Sequence, residues 1–270
     1  MRTYLSSFDV SLAIYDGDPS GAGIDASTAC LVACYPTFSG EVRPLAAAAK
    51  AAHDSGALFI VQADPLMCAI LESPGAQGAD IVVAEGQSLG NSMNFGGPYL
   101  GMMGATEKLM RKMPGRIVGE AFDQGGRKGY VLTLTAREQH IRREKAVSNI
   151  CSNQGLTMLQ TCIHLAALGS GGLRTVARLC WDKAHYAAAR IAGIPGFSIT
   201  TKAFFKEFLV STPANAEDLF KKLGRKHIVP GLPVSRYFPN RPDELLVCVT
   251  EMNSKAQIDA LARALEEATA

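Results

Sequence analysis

Neither sign of charge dominates this chain, and no part of it reads as a membrane segment. Lys and Arg number 27 against 25 Asp and Glu, a formal net charge of +2 over 270 residues. That excess gives no bulk electrostatic reason to expect nucleic acid or a membrane surface as a partner. Met1 to Ser7 lead into no apolar signal core. No uninterrupted apolar run approaches the ~20 residues of a spanning helix. A soluble, cytoplasmic protein is expected. Internal repeats and low-complexity tracts are also missing. Seven cysteines are scattered along the chain, and no two form a Cys-x-x-Cys pair. Cys30 and Cys34 have the spacing of one face of a strand or helix, and free buried thiols in a reducing compartment are the plain reading. Cys180 and His185 lack the two further nearby ligands that zinc requires.

What is present is enough apolar material for a sizeable core, 47% of the residues, which argues against disorder. The first part alternates strands and helices. Phe8 to Tyr15 reads as extended. Ala29 to Tyr35, Ala57 to Ala63 and Ile81 to Ala84 read as buried strands. Ala-rich Leu45 to His53 reads as a helix ended by Gly56. Leu100 to Ala105 and Tyr130 to Leu134 are further strands. This order implies an α/β layer with a mainly parallel sheet. Ligands of such sheets sit at the carboxyl ends of the strands, which directs attention to Asp64 and the Glu85-Gly86-Gln87 turn.

Two long helices are expected next, Gln154 to Leu168 and Leu173 to Ile191, broken by Gly169-Ser170-Gly171-Gly172. His164 and His185 fall inside them and read as structural. A boundary near Ile194-Pro195-Gly196 divides residues 1–193 from a small α+β unit, residues 194–270. That unit has strands at Phe208 to Ser211 and Leu245 to Thr250. One helix is capped by Asn215, runs to Leu223 and is stopped by Gly224. The last begins with a Ser254/Gln257 capping box and carries Ile258, Leu261 and Leu265 on one face.

The segment from Asn94 to Cys151 is the least generic. It holds a glycine-rich turn, Phe95 to Gly101, a Lys112 to Glu120 block and a charged run, Arg137 to Cys151. Arg137, His140, Arg142, Arg143 and Lys145 lie there beside Glu138 and Glu144, with Ser148, Asn149 and Ser152 following. Two readings stand for the run: a packed contact with acidic groups of a partner, which arginine forks suit, or a solvated helix with pairs such as Glu138 with Arg142. The glycine turn is either a tight turn into a crossing strand or a direct ligand contact.

The stretches ADIVVAEGQSLG, FGGPYLG, RKMPGRIVGE, GYVLTLTAREQHIRREKAVSNICSNQGL and ELLVCVTEMNSKAQIDAL closely resemble the P protein of the glycine cleavage system. Within that family they resemble subunit 1 of the two-chain decarboxylating glycine dehydrogenase. The resemblance runs across nearly the whole chain. It implies a fold-type I pyridoxal-phosphate transferase architecture, here a partial large domain with a small C-terminal α+β domain. It also implies glycine decarboxylation on pyridoxal phosphate, with the aminomethyl group passed to the lipoyl arm of the H protein. Subunit 2 and the lipoylated H protein are the implied partners.

By that resemblance Asp64 stands at the place of the pyridine-binding aspartate, although a turn carboxylate before Pro65 is an equal reading. Counting back from Gly96-Gly97-Pro98 by the family's interval puts Gln87 where the Schiff-base lysine belongs. An amide nitrogen is not nucleophilic and forms no imine. Lys50 precedes Asp64 and Lys108 follows the turn, so neither fits. The implied site is therefore vestigial: Asp64, Gln87, Gly96 and Gly97 as remnants of cofactor binding, with no catalytic residue. Subunit 2 would supply the lysine and carry the cofactor. The interface or anion-binding group would be Arg137, His140, Arg142, Arg143, Lys145 and Asn149.

Subunit 1 of the family normally carries a long segment ahead of the point matched by Met1. Sheet neighbours lost with it would leave unpaired edges and an apolar face. Reduced stability or homo-association is therefore expected when the chain is made alone. A sharp, concentration-independent melt of a monomer would count against this.

Overall fold

The computed structural model describes residues 1–15, 17, 21, 23–146 and 153–269. After a single helical turn, α1 (Arg2–Leu5), the described residues up to β1 form no strand. The expected extended segment from Phe8 to Tyr15 thus pairs with nothing in a sheet, since its exposed Phe8, Val10 and Ile14 find no neighbouring strand.

The first sheet contains β1 (Cys30–Tyr35), β2 (Leu58–Ala63), β3 (Ile81–Glu85) and β4 (Gly101–Ala105), in that spatial order. β1, β2 and β3 are parallel, with Cys30 opposite Leu58 and Tyr35 opposite Ala63. β4 closes the sheet antiparallel to β3, with Glu85 opposite Gly101. α2 (Ala46–Asp54) crosses between β1 and β2 and buries Ala48, Ala49 and Ala52. Small side chains let this helix lie close to the sheet, and Gly56 at φ +78° turns the chain into β2.

β5 (Ile117–Phe122) and β6 (Lys128–Thr133) form a separate antiparallel hairpin. The strand expected at Tyr130 to Leu134 belongs here, not to the main sheet. Asp123 folds the turn by accepting the Gly125 and Arg127 amides at 2.8 and 2.9 Å. α3 (Gln139–Arg142) is one turn long. α4 (Gly155–Ala192) runs on to the C-terminal unit, and within it Gly169 alone leaves helical geometry, at φ 62° and ψ 179°. The expected four-residue break is thus a kink at one glycine, the residue for which such a conformation is least strained.

The C-terminal sheet is antiparallel, in the order β7 (Ser198–Ile199), β8 (Glu207–Ser211), β10 (Glu244–Cys248), β9 (Leu232–Pro233). α5 (Ala216–Gly224) and α6 (Lys255–Thr269) cover it. Asn215 caps α5 by accepting the Glu217 amide at 3.0 Å. Gly224 is the last residue of α5, which ends at Arg225. The Ser254/Gln257 box is reciprocal, at 2.8 and 3.2 Å. Among the described residues no helix is long and apolar enough to cross a membrane.

Two buried cores result. One gathers α2, β1, β2 and Phe205; the other gathers Phe204, Phe208, Val210, Leu245 and the inner faces of α5 and α6. α4 serves both, giving Ala177 and Cys180 to the first and Ala184, Ala187 and Ile191 to the second. The units meet along a backbone seam. Val42 N–H donates to the Ala203 carbonyl at 2.8 Å, and the Thr201 hydroxyl donates to the Ser39 carbonyl at 3.0 Å. Gly40 sits in this seam at φ +78°, and a Cβ there would stand 2.0 Å from the Glu207 carbonyl oxygen. Gly40→Ala therefore forces the units apart as well as straining the backbone. A loss of about 2 kcal/mol or more is expected in urea melts.

Candidate functional site

The carboxyl ends of β1, β2 and β3 open into a cavity of about 450 Å³. Cys34, Gln62, Asp64 and Gln87 line one wall; Lys206 and Glu207 line the other. The first four are there because parallel strands all end on the same side. The last two come from the entry to β8.

Asp64 does two things. Its Oδ1 accepts the Leu66 amide at 2.9 Å, the turn role. Its Oδ2 pairs with Lys206 Nζ at 2.5 Å, with both side chains nearly buried. Glu85 ties the floor together: its Oε1 accepts the Gln87 amide at 2.9 Å and the Leu100 amide at 3.1 Å. Gln87 donates its Nε2 to the Asn91 carbonyl at 2.8 Å. Asn91 in turn donates to the Thr161 hydroxyl of α4 at 2.7 Å. Gly96 and Gly97, at φ 112° and 141°, make an exposed turn and are not among the cavity-lining residues.

Burial opposes the charge of Lys206, but the Asp64 carboxylate outweighs it and the pKa is raised. Glu207 is also raised, chiefly by burial and further by Asp64, against the pull of Lys206. Burial and then Glu207 push the Cys248 thiol up to about 12. Burial also raises the Cys34 thiol on the cleft wall, so at neutral pH the cleft holds the Lys206 ammonium and a neutral Cys34 thiol.

Within the described part of the charged run, Arg137 and Arg142 fold onto nearby backbone. Arg137 is only 8% exposed. It donates to the Met113 carbonyl and, at 3.0 Å, to the Gly115 carbonyl, so it clamps the Lys112 to Glu120 block. Arg142 donates to the Ala136 carbonyl at 3.0 Å in place of the expected pair with Glu138. His140, Arg143 and Lys145 face solvent. Asn149, with Ser148 and Ser152, lies outside the described residues. Cys180 and His185 have separate partners: the thiol donates to Glu251 at 3.0 Å, while His185 Nδ1 is 2.8 Å from the Trp181 carbonyl oxygen and the ring stacks on Phe204. His164 fills the space that a Cβ on Gly90 would need.

The sequence profile described as glycine cleavage system P-protein matches residues 1–265. The chain belongs to the P-protein family. A relative from Chlorobium luteolum, named probable glycine dehydrogenase (decarboxylating) subunit 1, is 46% identical over 276 residues, covering 99% of this chain and 62% of its own length. The crystal structure of a glycine decarboxylase (P-protein) of the glycine cleavage system in inhibitor-bound form superposes with a TM-score of 0.90 at 39% identity, covering 98% of this chain and 61% of that one. A sphingosine-1-phosphate lyase from Burkholderia pseudomallei has a TM-score of 0.64 at 18% identity, with 93% and 55% covered. It shows the fold alone, that of the fold-type I pyridoxal-phosphate enzymes. The chain thus spans about three-fifths of the length of these P-protein relatives.

The P-protein cleft of this chain does not fit pyridoxal phosphate held as an imine. Gln87 offers an amide, and Lys206 offers a protonated amine already spent on Asp64. Asp64, Glu85 and Glu207 face a single lysine, an inventory unfavourable to a phosphate dianion. Lys206 was missed from sequence, although two charges set among aromatics in Phe204-Phe205-Lys206-Glu207-Phe208 are a signal that buried partners are needed. Glu207 gives a pH test. Its folded pKa lies above the ordinary 4.5, so ionising it costs stability from about pH 4.5 upward, and the cost is complete above the folded value. Glu207→Gln should gain on the wild type as pH rises above about 4.5, read as a widening difference in urea midpoint.

Proposed function

We propose that this chain acts as subunit 1 of glycine decarboxylase in the glycine cleavage system. In this reading it supports decarboxylation of glycine and transfer of the aminomethyl group to the lipoyl arm of the H protein. Subunit 2 supplies the Schiff-base lysine and carries pyridoxal phosphate, which provides the electron sink for decarboxylation. The observation that carries the reading is the combination of 46% identity to a subunit 1 over 99% of the chain with a cleft whose one lysine is locked to Asp64.

This chain's own residues then shape and cover. Glu85 ties Leu100 of the glycine-rich turn to the end of β3, while Gln87 and Asn91 tie the loop before that turn to α4. Arg137 holds the Lys112 to Glu120 block. His140, Arg143 and Lys145 present exposed positive charge suited to acidic groups of subunit 2 or the H protein. The β5–β6 hairpin exposes Val118, Phe122, Tyr130 and Val131. A two-stranded ribbon of this kind is marginal by itself, which supports a partner surface there. The second reading, an interaction module without a part in turnover, rests on the same exposed hairpin.

Reconstitution separates these. Glycine decarboxylation is expected with this chain, subunit 2 and lipoylated H protein together, and at least about 100-fold less when this chain is left out. Binding to subunit 2 without any gain in rate selects the interaction module. A borohydride-trapped pyridoxyl adduct on this chain alone, in stoichiometric yield, defeats the assignment of the lysine to subunit 2.

A further inference from the structure

Lys206 lines the cleft, and the family reading gives it no task. It enters from the C-terminal unit and crosses the seam to Asp64 at the end of β2. The two side chains are 14% and 13% exposed, and the contact is 2.5 Å. Burying an ammonium and a carboxylate is unfavourable unless each satisfies the other. Among the described residues, Asp64 and Lys206 form ion pairs only with each other. The lysine is also held in place at its base. Phe205 is fully buried in the first core, Phe208 in the second, and the Glu207 carbonyl lies against Gly40. Both members of the pair line the cavity, at the strand ends where open α/β sheets receive ligands.

We propose that Lys206 is an internal ligand of this cleft. Its ammonium takes Asp64, the carboxylate that an amine or a cationic ring arriving from solvent would need, and so keeps the cleft closed to such molecules. The inference stands on the geometry of the isolated chain, and its test needs neither subunit 2 nor turnover. Its failure is therefore separate from that of the proposed function.

Shortening Lys206 to Ala removes three carbons and the ammonium, the equivalent of n-propylammonium, and leaves Asp64 uncompensated. Thermal melts are compared for the wild type, Lys206→Ala and Lys206→Ala/Asp64→Asn, in n-propylammonium chloride and in sodium chloride of equal ionic strength. Lys206→Ala is expected to melt about 5 °C or more below the wild type, with a saturable part of the loss restored by propylammonium only. The wild type and the double variant are expected to show no such recovery. An unchanged melt of Lys206→Ala, or a loss that propylammonium relieves no better than sodium, overturns the proposal. If Lys206→Ala fails to fold, the double variant decides: folded protein supports the internal ligand, and continued failure overturns it.

Discussion

One short segment, Phe204 to Phe208, holds the molecule together. Phe205 is buried among α2, β1 and β2, while Phe204 and Phe208 are buried under α5 and α6. Truncating a phenylalanine buried this deeply removes about 3–5 kcal/mol, a large share of the stability of any domain. A chain anchored on both sides within five residues cannot move one unit without dragging the other. The seam hydrogen bonds, from Val42 to Ala203 and from Thr201 to Ser39, complete the restraint.

The cleft is a consequence of that anchoring. Its one wall is the set of strand ends of a parallel sheet; its other wall is whatever the segment between the two anchors presents. Here that is a lysine and a glutamate. Because the anchors are fixed, Lys206 meets Asp64 in a low-dielectric site where the pairing is strong. Glu207, beside it, lacks a full partner and is driven toward its neutral form. The same chemistry explains why the cleft suits no imine cofactor: the amine that could react is held protonated.

Much of the architecture was legible beforehand. The three parallel strands, α2, the Asn215 cap and the Ser254/Gln257 box follow from local rules of periodicity and capping. The misses have physical causes. β5 hides in a Gly- and charge-containing stretch whose strand character comes only from its pairing with β6. β7 and β9 are two residues long and exist because β8 and β10 offer them hydrogen bonds. The arginines of the charged run read as surface groups, yet Arg137 is buried because the carbonyls of Met113 and Gly115 happen to come within its reach.

The sequence by itself determined the family, the α/β order and the absence of a reactive amine at Gln87, because motif identity and residue chemistry are local properties. Only the tertiary structure decided what faces Asp64. Residues 64 and 206 are brought together by two cores joined through a common segment, and no spacing along the chain encodes that meeting. An ion pair so formed depends on burial and distance, which exist only once the two units have closed on each other.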